Sequence, residues 1–360
     1  MKTKRFFSLF LLMVLVLSLW TAPHAAALDD PEVQAKAALL VDAKTGNIVY
    51  AKNEHQEMYP ASTTKIMTAL LTLEQPDQDR YFTVDSDAIQ VEGTTMGLQP
   101  GDSVTLHQLA AGMLLPSGND AANAAAVEIA GSEEAFVRLM NQRAAELGLE
   151  NTQYRNPSGL DAEGHYSSAR DLATLADHAL ENEDFADIVS KQEIRMAFGN
   201  PPYNRSLYTT NKLPERYPYA IGVKTGYTDD AGLCLVTAAE KDGTRLIIVT
   251  LNGKDDVNTH MQLYEHFFPL LARVDLSGFT EGLSVPVTGG TRDSVAAVPA
   301  AEPEAALLER EYDEDIAFKN LVIPEGVKVS LDGSGEDLQV ILKPSERIES
   351  TDYEAYYKMR

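Results

Sequence analysis

Pro60-Ala61-Ser62-Thr63-Thr64-Lys65-Ile66-Met67-Thr68-Ala69-Leu70-Leu71-Thr72-Leu73 sets a serine and a lysine three positions apart at the start of an apolar run. Ile66, Met67, Leu70, Leu71 and Leu73 recur at helical spacing, which predicts a helix over Ser62 to Glu74. Residues i and i+3 share one helix face, so the Ser62 hydroxyl falls beside the Lys65 amine. A serine hydroxyl is a poor nucleophile without a base. Lysine serves as that base when burial and a neighbouring positive charge bring its pKa towards neutrality. A helix N-terminus at Ser62 also turns backbone N–H groups towards the reacting centre, where an oxyanion needs donors. Alone the tetrapeptide decides little. Ser-x-x-Lys arises about once by chance in such a chain, and taken alone it is better read as a surface cap serine with a solvated lysine.

Upstream, Ala35 to Ala43 and Asn47 to Lys52 are β-rich and meet at Lys44-Thr45-Gly46, which reads as a hairpin. Downstream, Leu106 to Leu115, Asp120 to Ala130, Glu133 to Leu147 and Ser168 to Leu180 are helical in pattern and rich in alanine. Strand character returns near Ala220. Leu233 to Ala239 and Thr244 to Leu251 flank Glu240-Lys241-Asp242-Gly243, and Asp-Gly is a strong hairpin signal. A closing helix is expected from about Thr259 to Ala272. Strands, a helical block, then strands and a helix predict an α+β fold: an antiparallel sheet drawn from both chain ends, helices on both faces and a helical insertion. Past Val274 the texture changes to short strands, at Leu283 to Val287, Leu321 to Ile323, Val327 to Leu331 and Leu338 to Leu342. The Gly-, Ala-, Pro- and Glu-rich stretch Gly289 to Glu311 is expected to be a flexible loop.

The chain begins as secreted proteins do. Lys2, Lys4 and Arg5 precede an apolar run from Phe6 to Trp20, and Ala25-Ala26-Ala27 is a small-x-small cleavage pattern. The expected organisation is a signal peptide over 1–27, a catalytic domain over 28–274 and a small β-rich domain over 275–360. The mature protein then acts outside the cytoplasmic membrane, in the cell wall or periplasmic space. Its formal charge of −24 becomes −27 once the three signal cations are gone. Such a surface repels nucleic acid and anionic lipid, which argues against both as partners. One cysteine, Cys234, rules out an internal disulfide, and its apolar neighbours read as core. The seven histidines form no His-Glu-x-x-His or similar spacing, so neither metal nor cofactor is expected.

Two more motifs follow the first in order: Ser117-Gly118-Asn119 and Lys224-Thr225-Gly226. Ser-x-x-Lys, Ser-Asp-Asn and Lys-Thr-Gly in that order form a known pattern of class A β-lactamases and penicillin-binding proteins, which Ser117-Gly118-Asn119 matches at its first and third positions. A decoy Lys-Thr-Gly stands at Lys44-Thr45-Gly46. It lies in the hairpin turn, where glycine supplies positive φ and Lys44 and Thr45 are expected to be solvated. The second copy leads into an apolar strand and follows both serine motifs, so it is assigned to the site. Pro116-Ser117-Gly118 reads as a turn with Asn119 capping the next helix. The functional reading has Ser117 relaying a proton to a leaving amine and Asn119 holding a peptide carbonyl. Lys224 and Thr225 offer a cation and a hydroxyl suited to a carboxylate, and Gly226 permits close approach of substrate.

Pro60 to Thr68, Leu114 to Ala121, Asn156-Pro157-Ser158-Gly159-Leu160-Asp161, Ser167 to Ala173 and Gly222 to Thr228 together resemble the low-molecular-mass penicillin-binding proteins of the D-alanyl-D-alanine carboxypeptidase type. The resemblance spans roughly residues 33 to 272, and the tail more loosely. It implies a β-lactamase-like fold followed by a small β domain. It implies that Ser62 attacks the bond between two terminal D-alanines of a peptidoglycan stem peptide, with Lys65 as base and Ser117, Asn119 and Lys224 in the roles above. The oxyanion would lie between the backbone N–H groups of Ser62 and Tyr227, and β-lactams would inhibit by acylating Ser62. Family members often carry histidine where Tyr227 stands. The tail from Pro344 shows only a weak apolar stripe (Ile348, Tyr353, Tyr356, Tyr357), so membrane association is peripheral at most. A DD-endopeptidase, a serine β-lactamase and a non-catalytic penicillin-binding sensor remain as rivals. A class A β-lactamase needs a deacylating glutamate, for which Glu163 is the one tempting candidate, and a solvated loop residue is its plainer reading.

Overall fold

The computed structural model describes residues 31–275 without interruption, together with five short strands in the tail. The proposed signal peptide, Leu321 to Ile323 and the Pro344–Arg360 stripe lie outside the described residues. In chain order the strands are β1 (Ala35–Asp42), β2 (Ile48–Lys52), β3 (Phe82–Thr83), β4 (Ser103–Val104), β5 (Glu193–Phe198), β6 (Tyr203–Tyr208), β7 (Ala220–Thr228), β8 (Gly232–Lys241), β9 (Thr244–Gly253), β10 (Leu271–Asp275), β11 (Ser284–Pro286), β12 (Ser294–Pro299), β13 (Glu304–Leu308), β14 (Val327–Leu331) and β15 (Val340–Leu342). The helices are α1 (Lys65–Leu73), α2 (Leu106–Leu114), α3 (Asn119–Ala130), α4 (Glu133–Glu146), α5 (Ala169–Leu180), α6 (Glu183–Ser190), α7 (Leu213–Arg216) and α8 (Asp256–Phe267).

The main sheet has the order β2-β1-β9-β8-β7, with every neighbour antiparallel. Strand β1 explains why it is buried on both sides. Ala37, Leu39 and Val41 join the core that holds α1 and α5, while Ala38 and Leu40 face Leu263, Tyr264 and Phe267 of α8. Successive side chains of a strand point to opposite faces. A strand covered on both is therefore apolar at every position from Ala37 to Val41 instead of alternating with polar residues. The α+β class and the helices on both faces are as the sequence predicts. The β8–β9 hairpin turns on Asp242 (φ 50°) and Gly243 (φ 74°), the paired positive φ of a type I′ turn.

The helical insertion packs on small residues. Ala121, Ala122, Ala124, Ala125 and Ala126 of α3 are buried, and a Cβ placed on Gly112 of α2 would sit 3.2 Å from the Ala121 Cβ. The two helices thus meet almost backbone to backbone. Side-chain caps fix the helix starts: Thr105 and Gln108 form a capping box on α2, and Ser132 and Ser168 accept from Ala135 and Asp171 on α4 and α5.

The structure departs from the sequence reading at several places. Ser62 lies in a 3₁₀ turn, Ala61–Thr64, and α1 begins at Lys65. Gly118, not Asn119, is the cap of α3, and Asn119 is its first helical residue. Thr45 is buried, because its hydroxyl accepts from the Asn47 amide inside the turn (3.2 Å). The closing helix ends at Phe267, and the chain from Leu271 is a strand paired with β13. Gly289 to Glu311 holds β12 and β13, since Val295 to Val298 and Ala305 to Leu308 are apolar runs within the Gly- and Pro-rich stretch. Helix α6 and the β5–β6 hairpin were not anticipated. No helix among the described residues is long and apolar enough to cross a membrane.

Candidate active site

Three elements converge on Ser62. The first is its own turn and the helix after it. Lys65 Nζ lies 2.8 Å from Ser62 Oγ and donates to the Ser158 carbonyl at 2.6 Å. The second is the α2–α3 junction. There Ser117 adopts φ 65°, a left-handed conformation that costs a non-glycine residue about 1–2 kcal/mol. Its carbonyl accepts from Thr94 Oγ1 (2.6 Å), and Gly118 N–H donates to the Gly112 carbonyl (2.9 Å). The third is the edge strand β7, whose Lys224 Nζ donates to Ser117 Oγ (3.0 Å) and to the Thr225 carbonyl (2.9 Å). Two hydroxyl–amine pairs, Ser62 with Lys65 and Ser117 with Lys224, thus stand close enough for the charge of Lys224 to act on Lys65.

Both lysines are buried, and burial sets their chemistry. Desolvation is the main cause that holds Lys65 well below the ordinary lysine range; the positive charge of Lys224 lowers it further and Asp120 opposes. Burial brings Lys224 down to about 7. A neutral Lys65 can accept the Ser62 proton while one of its N–H groups still donates to the Ser158 carbonyl.

Glycines allow the close approaches. A Cβ on Gly226 would lie 3.0 Å from the Ser62 nitrogen and 3.2 Å from the Pro60 carbonyl, so β7 touches the Ser62 turn only without a side chain. Thr225 is half-buried and its hydroxyl pairs with Thr210 (2.6 Å). Tyr227 is exposed, with its hydroxyl donating to Asp229 (3.2 Å). Asn119 donates through Nδ2 to the Glu92 carbonyl (2.7 Å), and its Oδ1 is buried without a partner. The amide keeps its second N–H and a free acceptor, a set that suits a peptide bond. Every residue singled out from the second Lys-Thr-Gly and the two serine motifs is therefore in one place. Lys44 of the decoy is not among them.

Other groups at the site carry no motif of their own. Ser158 presents its carbonyl because Asn156 Oδ1 accepts from Ser158 N, Ser158 Oγ and Gly159 N (3.2, 3.2 and 2.7 Å). Behind it His165 Nδ1 accepts from the Arg155 amide (3.2 Å), which leaves Nε2–H to donate to Thr64 Oγ1 (2.9 Å). Burial brings that imidazole down to about 4, so it is neutral. Asn156-Pro157-Ser158-Gly159 is legible as a turn. That one of its backbone oxygens meets a lysine 93 positions away is not. Cys234 is core, its thiol pushed up to about 11 by burial. Glu163 is exposed. Among the described residues no group of histidine, cysteine and carboxylate side chains could hold a metal ion.

A family model described as D-alanyl-D-alanine carboxypeptidase, peptidase S11, matches residues 24–255. The chain is 38% identical over 271 residues to D-alanyl-D-alanine carboxypeptidase DacF of Bacillus subtilis, covering 72% of this chain and 69% of that protein. It is similar in structure to a D-alanyl-D-alanine carboxypeptidase of Mycobacterium tuberculosis, with TM-score 0.64, 33% identity, and coverage of 68% of this chain and 95% of the other. The Streptomyces K15 DD-transpeptidase gives TM-score 0.64 at 29% identity, covering 68% and 100%.

Proposed function

The chain belongs to the D-alanyl-D-alanine carboxypeptidase (peptidase S11) family and is a serine hydrolase of that kind; from that membership we propose that Ser62 is its nucleophile and Lys65 the base. The observation that carries this is the 2.8 Å contact of a fully buried lysine amine with the serine oxygen. The Ser62 proton passes to Lys65 as Oγ bonds to the carbonyl carbon between the two terminal D-alanines of a peptidoglycan stem peptide. Backbone N–H groups of Ser62 and Tyr227 receive the oxyanion. As the C–N bond breaks, Ser117 hands a proton to the leaving D-alanine amine, and Lys224 re-supplies Ser117. Water then adds to the ester, one of its protons going to Ser62 Oγ and the other to Lys224, while Lys65 releases the proton it took, so the shortened peptide leaves as a carboxylate and the site is restored.

Asn119 orients the peptide bond through its spare N–H and its orphan oxygen. Thr225 Oγ meets the terminal carboxylate, with the Lys224 cation behind it. β-Lactams follow the same first step, because their strained amide stands in for the dipeptide and acylates Ser62. We assign residues 1–27 to a secretion signal and 275–360 to a separate small β domain, which places the enzyme at the cell wall.

The test is D-alanine release from a diacetyl-Lys-D-Ala-D-Ala peptide, alongside labelling by a fluorescent penicillin. Wild type should do both, Ser62→Ala neither. Lys65→Arg should be close to inactive, since arginine cannot give up its proton. Penicillin labelling with no D-alanine release from the wild type would refute the carboxypeptidase reading.

A further inference from the structure

Asp120 follows the second motif and is buried on the first turn of α3, yet no step of the reaction uses it. Its carboxylate accepts four backbone N–H groups: Met96 and Ala121 on Oδ1 (2.8 and 2.9 Å), Gly97 and Leu98 on Oδ2 (3.0 and 3.0 Å). Three of these come from a segment more than twenty positions upstream that has no regular structure of its own. The same segment is tied to the motif from its other end. Asn119 N–H donates to the Thr94 carbonyl (2.7 Å), Asn119 Nδ2 to the Glu92 carbonyl (2.7 Å), and Thr94 Oγ1 to the Ser117 carbonyl (2.6 Å). The packing admits nothing more: a Cβ on Gly118 would lie 2.7 Å from Asp120 Oδ1 and 2.8 Å from the Met96 nitrogen.

We propose that Asp120 is a positioning residue of the reaction, its carboxylate clamping the Glu92–Leu98 segment onto Ser117-Gly118-Asn119 so that Ser117 and Asn119 keep their register with Ser62. Two features make the clamp more than a fold contact. Ser117 sits in a strained left-handed conformation, which persists only where its surroundings hold it. One of the bonds holding it, from Thr94, comes from the clamped segment. The carboxylate is also an anion beside the site. It acts on Lys65 from α3, raising it against desolvation and against Lys224 on β7. The remaining wall, the Asn156–Gly159 turn with His165 behind it, is uncharged. Removing the negative charge therefore favours neutral Lys65 further.

The inference rests on Lys65 as base, and its experiment keeps the two apart, since an active Lys65→Arg enzyme would refute that reading whatever Asp120 does. Asp120→Asn, Thr94→Val and Asp102→Asn are compared for kcat, for the pH profile of kcat/KM, and for Tm. Asp102 is a control of the same kind. It is buried and accepts from the Gln99 amide (2.9 Å) and the Tyr203 hydroxyl (2.9 Å), and it is not among the charges that act on Lys65. Displacing Ser117 by an ångström costs about a hundredfold in rate. Asp120→Asn should lose between about tenfold and a hundredfold in kcat, with the acid limb moved to lower pH. Thr94→Val should lose about tenfold with the acid limb in place, because the charge remains. Asp102→Asn should lower Tm and leave both kcat and the acid limb as in wild type. Losses in Asp120→Asn that track Tm alone, with an unmoved acid limb, would overturn the proposal. So would a Thr94→Val enzyme with wild-type kcat, which decides the matter even if Asp120→Asn does not fold.

Discussion

Replacing Gly159 with alanine puts a methyl group where the chain has no room for one. Gly159 has φ +86°, and a Cβ there would lie 2.5 Å from the Ala61 carbonyl carbon, closer still to its oxygen, and 3.0 Å from Thr64 Oγ1. The obstruction is backbone, so no side chain can swing away. Relief requires the Ser158–Gly159 peptide and the Ala61–Ser62 turn to separate by about 1 Å. Those two segments hold the two partners of Lys65, the Ser158 carbonyl at 2.6 Å and Ser62 Oγ at 2.8 Å. An ångström at that point costs about a hundredfold in rate. The left-handed backbone adds about 1–2 kcal/mol of strain for a residue with a Cβ. The assay is kcat/KM for D-alanine release together with the second-order rate of benzylpenicillin acylation, both measured well below the melting temperature. Both should fall by about a hundredfold, since both use the same base and nucleophile. A Gly159→Ala enzyme within threefold of wild type on both rates would show that the Ser158 carbonyl does not hold Lys65 in place.

Lys224→Met should raise Tm while abolishing turnover, because it removes a buried cation that has no carboxylate in its hydrogen-bond set. The folded pKa of Lys224, about 7, lies below its ordinary 10.5, so the unfolded chain binds the extra proton between those values and stability rises with pH across that window. The variant should lose its share of that rise; an unchanged slope of stability against pH would refute the assignment. His260→Ala should cost about 2–4 kcal/mol, because it empties a buried node where Thr237 and Thr250 hydroxyls meet the two ring nitrogens at 2.7 and 2.9 Å. Calorimetry should show a fall of roughly 5–15 °C with near-normal kcat at 20 °C, and a Tm within 2 °C of wild type would count against it.

Where local chemistry decided the structure, the sequence was legible. Asp242-Gly243 specified its hairpin, and the helical periods over Glu133 to Leu147 and Ser168 to Leu180 fell within a residue of the helices found. The later Lys-Thr-Gly was separable from the decoy by its order and by the apolar strand it leads into; Lys224 Nζ meets Ser117 Oγ, while Lys44 stands in a turn. The tighter features were not legible, because they join backbone atoms, which have no side-chain signature. The Ser158 carbonyl on Lys65, the Glu92 carbonyl on Asn119 and the three amides on Asp120 are of this kind. Asn119 misled for a related reason: it has a cap's side chain, but its Nδ2 is committed to Glu92 and Gly118 takes the cap position. Asn182, followed by two acids and an apolar stripe, was a readable start for α6.

The sheet order has a consequence for when the enzyme comes into being. Strand β1 lies between β2, its near neighbour in the chain, and β9, which pairs with it from Ala35↔Gly253 to Asp42↔Leu246. Roughly two hundred residues separate those partners, and the whole helical block lies between them. A chain emerging from its N-terminus makes the β1–β2 hairpin and the Ser62 turn first, but β7 has no sheet to join until β8 and β9 arrive. Completion of the main sheet is thus gated by β9, its last strand in chain order, and slow by topology. Ser62 and Lys65 are synthesised early, and Lys224 joins them only when residue 253 is in place, so partial chains carry the serine and its neighbouring amine without the rest of the site.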